Sequence, residues 1–401
     1  MTTKGKDLKP HIGIFGRRNS GKSSFINAMV GHDVSIVSDQ AGTTTDPVKK
    51  SVEIFGIGPT IMIDTAGIDD HGALGEQRIK KTMESIKQID CAILIITENR
   101  FGDHEIFLTE QFKKNAIPYL IIHNKSDLYP VTKTLLKKVA DRTQQDVLEF
   151  SAKDKRNFSQ IIEGIKQTIP QTAFVKPSLF KGLIQPKDPV LLITPIDSEA
   201  PEGRMILPQV MAWRDILDHD ALCFSVKETE LKDFLKLGLK PALAVTDSQV
   251  FSFVAEILPD TIPLTSFSIL FARLKGHFKQ YLEGTPSISR LKDHDKVLLL
   301  ESCTHHVSCD DIGRFKIPRW LKAFTGKKLE FDVVPGLSEI AKPIEQYALV
   351  IQCGGCVATQ KQVQNRLNDF IEKKIPVTNY GLTIAYINGI FDRAVKPFLN
   401  N

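Results

Sequence analysis

Two groups of residues in this 401-residue chain have types and spacings that can do chemistry. The first is Gly16-Arg-Arg-Asn-Ser-Gly21-Lys22-Ser23, a G-x-x-x-x-G-K-S pattern. Its glycines let backbone N–H groups close around a phosphate, Lys22 can reach the β- and γ-phosphates, and Ser23 can ligate Mg²⁺. Gly16, Asn19, Ser20, Gly21, Lys22, Ser23 and Ser24 are the candidate contacts of this loop. The second group is Cys303, His305, His306 and Cys309, with Cys353-Gly-Gly-Cys356 about fifty residues later. A C-x-x-C can place two thiols on one metal or cluster, and Gly-Gly removes side chains where sulfide must approach. Cys303 is the candidate third ligand. His305, His306 and Cys309 compete for a fourth position, which could also stay open. An iron–sulfur cluster, a structural zinc and a redox dithiol all use such thiols, but a redox dithiol would not require Cys303.

The elements around the first group supply its context. An apolar run, 11–15, precedes the loop and a helical pattern, 23–30, follows it. Strand patterns at 12–15, 48–55, 60–63, 91–96, 119–122 and 147–150 alternate with amphipathic stretches. That alternation predicts a doubly wound α/β sheet whose ligands sit beyond the carboxyl ends of the strands. Three more motifs fall at such ends. Asp64-Thr-Ala-Gly67 can hold Mg²⁺ through water and offer the Gly67 N–H to a γ-phosphate. Asn124-Lys125-Ser-Asp127 presents a carboxylate that can accept two hydrogen bonds from guanine, a pair adenine cannot supply. Ser151-Ala152-Lys153 can cover the base.

Together these motifs resemble the G1, G3, G4 and G5 boxes of the GTPase superfamily. Within Ala41-Gly-Thr-Thr-Thr-Asp46, the resemblance to GTPases of the Era and MnmE type selects Thr44 as the switch threonine that reaches Mg²⁺, with Thr43 and Thr45 as alternates. Lys22, Thr44, Asp64 and Gly67 are thus the expected catalytic set, and Ser23, Thr44 and Asp64 the Mg²⁺ set. Ile68 stands where a glutamine could orient the attacking water, so intrinsic hydrolysis is expected to be slow. Asn19 occupies the position at which related GTPases bind K⁺, which would neutralise charge beside the phosphates; a loop-capping role is the alternative.

Beyond residue 170 the patterns change. Pro170, Pro177, Pro186 and Pro189 punctuate a stretch that reads as a linker. Strand patterns at 190–194, 221–226 and 242–245 and helical patterns at 205–218 and 228–236 follow, without a phosphate loop or ligand cluster; self-association suits such a domain. Strand patterns at 296–300 and 347–351 each run straight into a cysteine loop. If the two strands lie parallel in one sheet, both loops emerge at the same edge. Arg314, Lys316 and Arg319 follow the first loop, as a solvated basic face or as an attraction for an anionic ligand. Cys91 and Cys223 lie in strand patterns and read as core.

The fold class expected is α/β: an N-terminal P-loop GTPase domain, 8–170, then two further α/β domains with parallel-sheet character, 171–275 and 276–401. Net charge is only +5, and the last domain has no basic stretch interleaved with aromatics, which argues against a nucleic-acid partner. No signal-peptide core and no run of about 18 apolar residues is present, so a cytoplasmic location without membrane partners is expected.

Cys303-Thr-His305-His306, Asp311-Ile-Gly-Arg-Phe-Lys-Ile-Pro-Arg-Trp320 and Cys353-Gly-Gly-Cys356, behind a GTPase domain, resemble the HydF family of [FeFe]-hydrogenase maturation GTPases. The resemblance implies a GTPase domain, a dimerisation domain and a [4Fe-4S] domain, with Cys303, Cys353, Cys356 and His305 matching the ligand pattern. Gln352 stands where many members have His, which favours an exchangeable fourth site. It further implies a scaffold that takes a two-iron precursor from the radical-SAM maturases HydE and HydG and delivers it to apo-[FeFe]-hydrogenase. Its cofactors would be GTP/GDP, Mg²⁺, K⁺ and the cluster. A GTPase of ribosome assembly or tRNA modification with a zinc-bound last domain is the alternative, and a metal-insertion GTPase a third reading.

Overall fold

The computed structural model describes residues 9–30, 36–40, 48–54, 57–65, 73–169, 178–196, 205–302 and 311–399. They fall into two compact units, Met1–Lys176 and Pro177–Asn401. The first unit runs β1 (His11–Phe15), α1 (Lys22–Val30), β2 (Ile36–Gln40), β3 (Val48–Ile54), β4 (Gly58–Asp64), α2 (Ala73–Ile86), β5 (Cys91–Ile96), α3 (Asp103–Lys114), β6 (Tyr119–His123), α4 (Lys133–Thr143), β7 (Val147–Glu149) and α5 (Phe158–Thr168). One seven-stranded sheet results, in the order β2-β3-β4-β1-β5-β6-β7. From β4 to β7 every pairing is parallel, and β2 and β3 pair antiparallel at one end. Cys91–Ile96 is apolar throughout because helices cover both faces of its strand, so every residue of β5 is buried. Phe25, Ile26, Phe150 and Ile165 pack on one face of the sheet, and Phe15, Leu108, Phe112 and Val139 on the other. β1 sits between β4 and β5, so the chain leaves it at the point where the strand order reverses.

The second unit holds two four-stranded sheets. The first comprises β8 (Pro189–Ile193), α6 (Leu207–Asp218), β9 (Leu222–Val226), α7 (Leu231–Lys236), β10 (Leu243–Thr246), α8 (Phe251–Ile257), β11 (Leu264–Ser266) and α9 (Phe267–Lys275). After α10 (Phe278–Gly284) come β12 (Lys296–Leu300), α11 (Ile317–Thr325), β13 (Glu330–Val334), β14 (Tyr347–Gln352), α12 (Gln360–Glu372), β15 (Val377–Asn379), α13 (Tyr380–Ile387) and α14 (Phe391–Leu399). The orders are β11-β10-β8-β9 and β13-β12-β14-β15, and all pairings are parallel. Leu179, Phe180 and Ile184, within the stretch read as linker, are already buried in this unit's core.

These two orders are one topology read from opposite ends. The registers agree at the carboxyl ends of the strands: Ile193 pairs with Val226 and Thr246, and Thr246 with Ser266. In the second sheet Leu300 pairs with Val334 and Gln352, and Gln352 with Asn379. The sequence carries a faint echo, Pro263-Leu-Thr-Ser-Phe267 against Pro376-Val-Thr-Asn-Tyr380. Each copy ends in a helix cap, Ser266 Oγ accepting from Ile269 N (3.3 Å) and Asn379 Oδ1 from Gly381 N (2.8 Å). The capped helices, α9 and α13, pack on each other, and a Cβ on Gly381 would fall 2.8 Å from Ser268 Cβ. One apolar core runs through both sheets. No helix among the described residues is long and apolar enough to cross a membrane.

Candidate functional sites: a nucleotide loop and a cysteine loop

The nucleotide loop is shaped by close approaches. A Cβ on Gly16 (φ +146°) would lie 2.3 Å from Ile95 O, and one on Gly21 (φ +90°) 2.2 Å from Asn124 Nδ2. Only glycine fits either place. Asn19 is exposed and left-handed (φ +59°). Lys22 is buried over the loop, its Nζ donating to Gly16 O (3.1 Å) and Arg17 O (2.8 Å). Ser20 Oγ is buried without a hydrogen-bond partner among the described residues, which suits a loop built around an anion. Arg17 makes a two-pronged pair with buried Glu105 at the start of α3 (2.7 and 2.9 Å), pinning the loop from outside.

The remaining boxes converge on that loop. Ser23 Oγ, at the start of α1, donates to Asp64 Oδ2 at the end of β4 (2.7 Å), so the two candidate Mg²⁺ ligands already touch. Asn124 is buried; its Nδ2 donates to Ser20 O (3.0 Å) and its Oδ1 accepts from Ala152 N (3.2 Å). One amide therefore ties the phosphate loop to the base-side loop Ser151–Ala152–Lys153. Lys125 is left-handed (φ +59°), Asp127 follows part-exposed, and Ser126 N donates to Phe150 O (3.1 Å). Thr43, Thr44, Thr45, Gly67 and Ile68 lie outside the described residues.

The second site starts from β12 and β14, which are parallel neighbours as the sequence pattern implied, with Leu300 paired to Gln352. Cys353 N continues the ladder by donating to Leu300 O (2.9 Å). Cys353 Sγ accepts from Ser302 N (3.1 Å) and lies 3.2 Å from Ser302 Oγ. The end of β12, which leads toward Cys303, thus touches the first thiol of Cys353–Cys356. Gln352 is fully buried; its Nε2 donates to Ser302 Oγ (3.0 Å) and points at Cys353 Sγ (3.5 Å), while its Oε1 has no partner among the described residues. Gly355 is left-handed (φ +67°), and a Cβ there would fall 2.9 Å from Val363 Cγ2.

Charged groups engage the strand ends beside the loop. Arg366 on α12 is buried, its guanidinium donating to Glu301 O and to Val334 O (3.0 Å). Burial lowers its pKa to about 10, against the opposing pull of Cys353. Arg314 makes a two-pronged pair with buried Glu301 (2.9 and 2.8 Å), and Lys316 Nζ donates to Gln249 Oε1 (2.7 Å). Of the three basic residues read as one face, Arg314 and Lys316 are committed within the protein and Arg319 is exposed. Lys275, which sequence reasoning did not single out, reaches the loop from α9.

Thiol donors, a Gly-Gly turn and an N–H aimed at sulfur fit a thiolate-held metal centre. Arg366 Nε and Gln352 Oε1 are buried polar atoms beside it without partners among the described residues. Among the described residues no three Cys, His, Asp or Glu side chains converge as a metal site. Cys303, His305, His306 and Cys309 lie outside the described residues, so the full ligand set rests on the sequence. None of the four described cysteines is in a disulfide. Cys91 is fully buried, and burial raises its thiol pKa; Cys223 is half-buried, its thiol pushed up to about 11.

The first unit's sheet, phosphate loop and guanine-side motif define a P-loop GTPase domain, and a family model described as a 50S ribosome-binding GTPase matches residues 11–125. The hydrogen maturase F dimerization domain matches residues 179–276 and the hydrogen maturase F tetramerization domain residues 279–397. The chain belongs to the hydrogen maturase F (HydF) family, the hydrogenase maturation GTPases. Among curated proteins it is similar to tRNA modification GTPase MnmE of Legionella pneumophila (strain Paris), 32% identical over 39% of this chain and 34% of that protein. GTPase Der of Leptospira borgpetersenii is 33% identical over 42% of this chain and 33% of Der. The chain thus spans about a third of the length of these relatives. Among solved structures, Aquifex aeolicus Era is 19% identical with a TM-score of 0.34, over 57% of this chain and 97% of Era. The G domain of T. maritima FeoB is 14% identical with a TM-score of 0.32, over 40% of this chain and 99% of that domain.

Proposed function

We propose that this protein is a GTP-hydrolysing scaffold that binds a [4Fe-4S] cluster and a two-iron precursor and delivers the precursor to apo-[FeFe]-hydrogenase. HydE and HydG would supply the precursor. The observation that carries the reading is the juxtaposition of Ser302 and Cys353 at the shared carboxyl end of β12 and β14, inside a hydrogen maturase F domain. Cys303, Cys353 and Cys356 would hold the cluster, with His305 as a candidate fourth ligand. The cluster would offer an iron at which the incoming unit docks. This chain's own residues shape the turn, direct N–H groups at sulfur and place the buried cations Lys275 and Arg366 beside it.

In the first unit, Gly16 to Ser24 would wrap the phosphates, and Ser23, Asp64 and Thr44 would hold Mg²⁺. Asp127 would select guanine, and Asn19 would admit K⁺, giving faster hydrolysis in K⁺ than in Na⁺ at equal ionic strength. Nucleotide binding would order the threonine loop and change partner contacts, with hydrolysis resetting the cycle. The functional division would be 8–170 for GTP, 171–275 for homodimerisation and 276–401 for the cluster. Leu207, Val210, Trp213 and Leu217, exposed along α6, support a self-association surface in the middle part.

The test is anaerobic reconstitution with iron and sulfide, read by metal analysis and by EPR of the reduced protein. About four irons and four sulfides per chain, with a reduced-state signal, are expected. One tight zinc without sulfide overturns the reading. In parallel, Asp127→Asn is expected to weaken GTP binding at least about tenfold, since the amide offers a donor where guanine needs an acceptor; unchanged binding would remove Asp127 as the base selector.

A further inference from the structure

Lys275 closes α9, a helix of the first sheet, yet its ammonium serves the second. The residue is 3% exposed, and Nζ donates to Gly355 O (3.0 Å), Cys356 O (3.2 Å) and Ala358 O (2.8 Å). Three carbonyls of the turn that carries Cys356 thus point at one buried cation. The same helix closes on the turn elsewhere, for a Cβ on Gly354 would lie 3.5 Å from Phe271 Cβ. A buried ammonium is costly unless it is engaged by acceptors, and three of this one's acceptors are carbonyls of the cysteine turn.

The internal repeat isolates what is special here. Counting from the caps Ser266 and Asn379, the residue equivalent to Lys275 is Asn388 at the end of α13. Asn388 Nδ2 donates back to Ile384 O (2.8 Å), a local cap within its own helix. The repeated fold therefore does not require a lysine at this position. Lys275 also lies within the matched dimerization domain, 179–276, while the turn it holds lies in the tetramerization domain, 279–397.

We propose that Lys275 is a positioning residue of the cysteine site: it fixes the Cys353–Cys356 turn in its ligating shape and places a positive charge beside the bound centre. The proposal rests on reading that turn as a cluster ligand. It makes α9 a mechanical link from the self-association domain to the cysteines.

The experiment compares Lys275→Met and Lys275→Arg with the wild type in the full-length protein. In the metal-free protein, hydrogen exchange of amides 354–359 is expected to quicken at least about tenfold in Lys275→Met, with α13 amides unchanged. In the reconstituted protein, iron loss to a chelator is expected to quicken by about 10- to 100-fold, and the reduction potential to move negative because a cation has been removed. Lys275→Arg, which keeps the charge, should restore the potential more fully than the exchange rate. Wild-type exchange in Lys275→Met overturns the clamp. An unmoved potential overturns the electrostatic half. Faster exchange in a protein whose wild type takes up no iron would support the clamp and sink the cluster reading.

Discussion

The two halves of the second unit share strand order, register and helix caps, yet only one ends in cysteines. At the end of β10, Asp247 Oδ1 caps Gln249 N (2.9 Å), and the chain turns at once into helix. At the equivalent end of β14 the chain inserts Cys353-Gly-Gly-Cys356 before Thr359 caps α12. Thr246 and Gln352 occupy the same register position, so Asp247 and Cys353 are counterparts. The same scaffold thus either starts a helix or holds a thiol loop. A few residues at the strand end decide which, and the sheet beneath is indifferent.

Exchanging the counterparts gives the largest predicted contrast. Cys353→Ala should lose nearly all reconstituted iron and the reduced-state EPR signal. Asp247→Ala should keep both and cost about 1 kcal/mol in denaturant unfolding, the worth of an N-cap. Equal iron loss in the two would mean that the halves are not functionally distinct. Next in size, Arg366→Met should destabilise the second unit by about 2–4 kcal/mol, because Glu301 O and Val334 O lose a charged donor at the strand ends. Unfolding followed by a probe within 177–401 checks this, and a loss under 1 kcal/mol would show that other donors replace it. The smallest effect is expected at Tyr281, whose fully buried hydroxyl has no partner among the described residues. Burial raises the phenol pKa and Cys353 adds to the rise, so the group stays neutral. Tyr281→Phe should change stability by less than about 1 kcal/mol, or raise it slightly, in the same measurement.

Legibility in the sequence followed how local each signal is. The phosphate loop, Asp64 and Asn124-Lys-Ser-Asp127 are contiguous words at strand ends, and the structure brings Gly16, Ser23, Asp64, Asn124 and Ala152 together. β12 and β14 announced themselves as apolar runs. Lys275 could not, since a lysine in the last turn of a helix reads first as a complement to the helix dipole. Its role depends on tertiary packing against a turn eighty residues away. Arg314 misled for the same reason: only the fold reveals that Glu301 claims it. The repeat escaped because parallel buried strands demand little beyond apolarity, leaving a proline, a threonine and a capping residue as its trace.

The shared core of the second unit has a thermodynamic consequence. Leu192 and Val245 belong to the same apolar cluster as Leu298, Val350 and Leu367. Neither sheet can melt without stripping the other, so 177–401 should behave as a single cooperative block despite matching two family domains. A chain severed near residue 277 would split that core between the fragments, while the separate cluster of Val297, Leu299, Ile317, Leu349 and Ile351 would stay whole in the later one.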